Sequence, residues 1–184
     1  MRKTLRKSEG LPMMGTISMV IRDAHTRKVR KRITIRNKIT YLAADILVEL
    51  IAQRATDPAP GFGQIYSMRM GSSNTAAARS DTNLGAFVIG KVIGDVGKVT
   101  GAPGEIKFIA TLDTGDANGS TLREAGLFTS GDPGISVGAP SASNTPGVAA
   151  GATRLFARQV YPDIPKTPAI VVDYSWTIAF TAVP

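Results

Sequence analysis

Three arginines, Arg30, Arg32 and Arg36, carry the plainest chemical potential in this sequence. Residues two and four apart on a strand point to the same side, so guanidiniums spaced this way can grip the oxygens of an anionic partner such as phosphate. The competing reading is a solvated edge that charge protects from aggregation. No aromatic side chains are interleaved for base stacking, which makes nucleic acid the less favoured partner. A second cationic group, Arg2, Lys3, Arg6 and Lys7, lies in a segment suited to an anionic partner or to folding onto a neighbouring subunit. Residues 1–38 hold twelve Lys or Arg against Glu9 and Asp23, a net charge of +10; with +8 overall, the remainder carries −2. A basic head on a nearly neutral body implies a localised contact with an anionic surface.

Catalytic chemistry has few parts to draw on. Cysteine is absent and His25 is the only histidine. That removes disulfides, zinc sites built on Cys or His, and Ser-His or Cys-His nucleophile pairs. Asp113 and Asp116 are the nearest thing to a carboxylate pair, but Gly115, Asn118 and Gly119 beside them read as a turn. No phosphate-binding glycine loop and no nucleophile elbow occur. The sequence assigns no catalytic, cofactor-binding or metal-ligating residue and is expected to be non-enzymatic, with no cofactor.

The elements that must position these side chains are mostly strands. Residues 1–14 read as a basic arm, and 15–184 as a single β-sandwich domain with a long Gly/Pro/Ser-rich loop at 129–153. Ile17, Met19 and Ile21 alternate over 15–22. The chain turns through Asp23–Lys28, where His25 is expected to be solvated, and returns with Val29, Ile33 and Ile35 on one face. Arg30, Arg32, Thr34 and Arg36 take the other, which predicts a hairpin with a basic outer face. Leu42, Ile46 and Leu50, with Leu47 and Ile51 beside them, predict one amphipathic helix over about 41–55, capped by Thr40 and ended by the run from Asp57 to Gly61. Further strands are expected at 64–70, 87–92, 105–112, 121–128, 154–160 and 170–181. In the last, Ile170, Val172, Tyr174, Trp176, Ile178 and Phe180 alternate with wetter residues, and this aromatic stripe reads as core. The fold class is mainly β, an antiparallel β-sandwich or jelly roll with the helix covering one end. No apolar run approaches the roughly 20 residues that cross a bilayer, and the basic start lacks a following apolar stretch. A soluble chain with no membrane partner is expected.

Three stretches, taken in order, look familiar. They are Met70–Ala76 running on to Ser80–Leu84 (MGSSNTA…SDTNL), Asn118–Phe128 (NGSTLREAGLF), and Leu155–Arg158 (LFAR) with the closing Val172–Ile178 (VDYSWTI). Together, over about residues 33–181, they resemble structural proteins of tailed bacteriophages found in tail, collar and fibre-attachment modules. The resemblance implies a non-enzymatic, homo-oligomeric subunit of the neck or collar, or of the tail and fibre-attachment region. Its partners would be itself, in a symmetric ring or array, and other virion proteins; its location would be the virion, assembled in the host cytoplasm. A capsid decoration (cement) protein and a nucleic-acid-binding module using the basic hairpin are the alternatives, and a lectin-like receptor binder is the least favoured. Within TLREAGLF, Leu122 and Phe128 are expected to point inward with Gly126 leaving room between them. Arg123 and Glu124 should lie on opposite faces and not pair with one another.

Overall fold

A computed structural model describes residues 13–41, 43, 65–98, 104–129 and 154–180. Nine strands account for most of them: β1 Met13–Asp23, β2 Val29–Ile39, β3 Ile65–Gly71, β4 Phe87–Val92, β5 Asp95–Lys98, β6 Glu105–Leu112, β7 Thr121–Thr129, β8 Leu155–Pro165 and β9 Ile170–Phe180. Every pairing is antiparallel. The chain is mainly β and sandwich-like. One layer is β2-β1-β9-β6-β5 and the other β4-β3-β7-β8; among the described residues their strands pair with one another where Lys38 and Ile39 meet Arg158 and Ala157. On the opposite side β4 passes through Ile93 and Gly94 directly into β5, so the ends of the strand order are adjacent in the chain.

The inward side chains follow from period-two alternation. Ile17, Met19 and Ile21 of β1, Phe108, Ala110 and Leu112 of β6, and Ile170, Val172, Tyr174, Trp176 and Ile178 of β9 face Met68, Met70, Leu122, Ala125, Leu127, Phe156 and Ile164 of the other layer. Burial of each large aliphatic or Phe side chain among them is worth about 1.5–3 kcal/mol. Across this core the Tyr161 hydroxyl of β8 lies 3.0 Å from the Tyr174 hydroxyl of β9 and also donates to the Glu124 carbonyl at 3.0 Å. Tyr161 has one proton, so Tyr174 is the donor between the two phenols. This bond ties the two layers through their centre.

Several expectations need correction in detail. Met13 and Met14, placed in the arm, belong to β1. Phe180 lies on the inward side of β9 but is 37% exposed, because it is the strand's last residue, beyond the body of the core. Leu122 and Phe128 do not share a face. From Leu122–Ile164 to Glu124–Val160 the register advances two residues on β7 and four on β8, a bulge holding Tyr161, Pro162 and Asp163. Opposite this bulge the alternation of β7 itself breaks, since Leu122 and Ala125, three residues apart, both enter the main core, and Phe128 packs outside it with Leu84 and Leu155. The short β5 was not expected. Of the predicted helix only Tyr41 and Ala43 lie within the described residues, both helical, with Ala43 in the core. The Thr40 hydroxyl donates to Leu155 O and Phe156 O at 2.8 and 2.9 Å, tying this segment to β8. The arm at 1–12 and the loop at 130–153 lie outside the described residues.

Candidate functional site, a latched loop beside a basic hairpin

Between β3 and β4 the chain runs through SSNTAAARSDTNLGA, residues 72–86, with no regular structure. Its ends are closed by Ser72 N–H donating to Ala86 O at 2.8 Å, which makes it an Ω-type loop. Within it, Ser73 Oγ accepts from Thr75 N–H, Asp81 Oδ2 from Ala78 N–H, and Asn83 Oδ1 from Leu84 N–H. These are the local side-chain bonds that Ser, Asp and Asn make when backbone turns away from sheet or helix.

The loop lies on the outer face of β7 and β8, and a buried ion pair holds it there. Glu124 of β7 has no solvent exposure and Arg158 of β8 is 3% exposed. Arg158 donates to Glu124 Oε2 from Nε at 2.8 Å and from Nη2 at 2.7 Å. The Glu124 carboxylate also accepts three backbone N–H groups of the loop: Ser73 at 3.3 Å and Ala86 at 2.8 Å on Oε1, Gly85 at 3.1 Å on Oε2. Arg158 reaches the loop with its other bonds, to Asp81 Oδ2 at 2.7 Å and Thr75 O at 3.0 Å. Burial opposes the Arg158 charge, but the hydrogen bonds from Asp81 and Glu124 outweigh it and hold the guanidinium protonated. The carboxylate thus accepts five hydrogen bonds and the guanidinium places four of its five N–H groups, the kind of satisfaction under which a buried ion pair is tolerated. Leu84 completes the latch by packing with Phe128 and Leu155. Gly126 makes that possible: a Cβ there would lie 2.8 Å from Leu155 Cδ1, 3.0 Å from Phe128 Cε2 and 3.1 Å from Leu84 Cδ2.

Arg123 forms a bidentate pair with Asp163 at 2.9 and 3.0 Å and also donates to Ser72 O, at the start of the loop, at 3.3 Å. No ion pair joins Arg123 to Glu124 among the described residues. A smaller cluster fixes the β6–β7 turn: Asp116 accepts from Lys91 Nζ and from Asp113 N–H, both at 2.8 Å. Buried Lys166 donates to Thr167 O at 3.0 Å and Asn118 Oδ1 at 3.4 Å. Asp113 and Asp116 thus work in a turn.

Arg30, Arg32 and Arg36 all lie on the exposed, outward side of β2. They are not equivalent. Arg30 is paired with Asp23, whose other oxygen accepts His25 N–H, Thr26 N–H and Thr26 Oγ1 across the hairpin turn. Those bonds hold the Asp23 carboxyl well below the ordinary range, the Thr26 amide contributing most and Arg30 next. His25 is exposed at the tip. Arg32 and Arg36 have no carboxylate partner among the described residues. Arg2, Lys3, Arg6 and Lys7 lie outside the described residues.

The latch was not read as a site from sequence, although its members were in view. Glu124 sits in TLREAGLF and Arg158 in LFARQV, each a charge inside an otherwise apolar strand, and that mismatch was the available signal. Comparison with known protein families, with characterised proteins and with solved structures finds no match for this chain.

Proposed function

We propose that this chain is a non-enzymatic structural subunit of a tailed-bacteriophage particle, working in homo-oligomeric form at the neck or collar, or in the tail and fibre-attachment region. One observation carries the reading beyond resemblance. Segments of all three stretches that resemble phage structural proteins, MGSSNTA…SDTNL, TLREAGLF and LFAR, meet at a single point, the Glu124–Arg158–Asp81 latch, while the closing VDYSWTI lies in the opposite layer. What these stretches have in common is therefore a device that fixes a polar loop on a rigid sandwich. Asn74, Thr75, Ala76, Arg79, Ser80, Thr82 and Asn83 are exposed along that loop, giving a preorganised polar surface. Assembly subunits need surfaces of this kind, because a contact ordered in advance loses less entropy on docking.

In this reading symmetric copies and other virion proteins are the partners, and the arm over 1–12 and the loop over 130–153 extend the contact to neighbours. Capsid decoration is the alternative within the same class, distinguished by position and copy number. The nucleic-acid alternative rests on Arg30, Arg32 and Arg36, and the pairing of Arg30 with Asp23 weakens it. Quantitative mass spectrometry of purified particles tests the proposal. Presence at a fixed, multiple copy number per particle is the expected result, and absence from particles made in cells that express the chain would overturn it.

A further inference from the structure

Among the described residues, strand β2 has one covered edge and one open edge. Along Val29–Asn37 it pairs with β1, whereas on its other side only Lys38 and Ile39 reach β8. Among the described residues, the outer edge of 29–36 meets no strand. Eight residues at about 3.4 Å each make an edge roughly 27 Å long, lined by backbone N–H and C=O groups. Val29 to Arg32, Thr34 and Arg36 are exposed. The run carries Arg30, Lys31, Arg32 and Arg36 and not one carboxylate. At its far end a cavity of about 290 Å³, lined by Met13, Met14, Ile39, Arg36 and Arg79, adds an apolar floor and a second guanidinium.

We infer that the open edge of β2 receives an extended acidic segment of another protein, which adds to the sheet as a further strand. Charge complementarity selects the occupant. Arg32 and Arg36 point outward four residues apart without a carboxylate partner among the described residues, so acidic residues at matching positions of an added strand would sit beside them. A second copy of this chain does not fit: two β2 strands would set their cations side by side, and like charges across a strand pair are destabilising. The strands at the ends of the sheet order, β4 and β5, offer only Asp95 between them. A nucleic-acid backbone would satisfy the cations and the outward N–H groups. It brings no backbone donors, so the outward C=O groups would stay unpaired. A polypeptide strand satisfies both. This inference goes beyond the assembly reading by naming an edge and a partner chemistry, and its test involves no particle, so the two fail separately.

The test is backbone amide exchange on the full chain with three probes: an acetylated peptide of five Thr-Glu repeats, the matching Thr-Lys peptide, and a short DNA duplex. The Thr-Glu peptide should slow exchange of alternate β2 amides about tenfold or more, as new strand hydrogen bonds form, while the Thr-Lys peptide should have no effect. The double variant Arg32→Glu, Arg36→Glu should reverse that preference, which a merely misfolded protein could not do. Equal or absent protection by the two peptides overturns the inference. So does tight binding of the duplex with no protection by the Thr-Glu peptide, which would make the strand a nucleic-acid surface instead.

Discussion

Arg158 grips Glu124 with two nitrogens, Nε at 2.8 Å and Nη2 at 2.7 Å, at a place where Glu124 has no solvent exposure. The two sit on neighbouring strands, yet their remaining bonds all go outward to the 72–86 loop. Glu124 takes three loop amides and Arg158 takes Asp81 and Thr75. The pair therefore serves the loop more than the sheet.

Removing the two members should have unequal effects. Glu124→Met deprives three loop amides of their acceptor and leaves Arg158 buried with Asp81 as its one carboxylate and Thr75 O beside it. A cost of about 3–5 kcal/mol is expected in urea unfolding. Arg158→Met leaves the carboxylate its three N–H donors and should cost less. Limited proteolysis should cut within 72–86 much faster in the Glu124 variant than in the Arg158 variant. Equal costs and equal cleavage would mean that the loop does not depend on the carboxylate.

Two glycines should differ for a steric reason. At Gly126 the added methyl meets ends of flexible side chains, Leu155, Phe128 and Leu84, which can yield, so Gly126→Ala should cost about 1–3 kcal/mol. At Gly71 it meets the Ala86 backbone carbonyl and the Glu124 carboxylate, neither of which can move without opening the latch. Gly71→Ala should be the more damaging in thermal unfolding and should share the proteolysis pattern of Glu124→Met.

How much of this was legible beforehand varies by element, for physical reasons. The 170–181 alternation gave β9 nearly to the residue, because one buried and one wet face leave a period-two record. The hairpin of β1 and β2 was legible for the same reason. β5 was not, since Asp95–Lys98 is too short to show a period. The bulge at Tyr161–Asp163 was hidden because register depends on the partner strand, and so was the break in β7's own alternation opposite it, which separates Leu122 from Phe128. The latch was hidden more deeply. Glu124, Arg158 and Asp81 are far apart in the chain: the pairing of β7 with β8 brings the first two together, and the loop that leaves β3 carries Asp81 to them.

The Tyr161–Tyr174 bond should give the protein an alkaline limit. Burial, the largest cause, raises both phenols above their ordinary value of 10.0. Their stabilising contribution is complete below pH 10, where folded and unfolded tyrosines are both neutral. Above it the unfolded chain loses protons that the folded chain keeps, so stability falls by about 1.4 kcal/mol per pH unit for each such group. Burial lowers Lys166, which acts in the opposite sense, adding stability as pH rises toward 10.5. Tyr174→Phe isolates the phenol: it should cost about 1 kcal/mol at neutral pH and reduce the alkaline slope by one group. An unchanged slope above pH 10 would contradict the assignment.

Deleting residues 1–12 should leave the fold intact, since β1 begins at Met13. Circular dichroism and thermal unfolding should match those of the full chain. Incorporation into particles should be lost, because the arm carries Arg2, Lys3, Arg6 and Lys7 to a neighbour in the proposed assembly. Full incorporation of the shortened chain would remove the arm from the account while leaving the latch untouched.

The most direct test of the structural-subunit proposal is electron microscopy of purified particles bearing a label on this chain. A symmetric ring or cluster of label at the neck, collar or tail is the predicted result. Label spread over the head lattice would replace this location with capsid decoration, and particles without label would contradict the account.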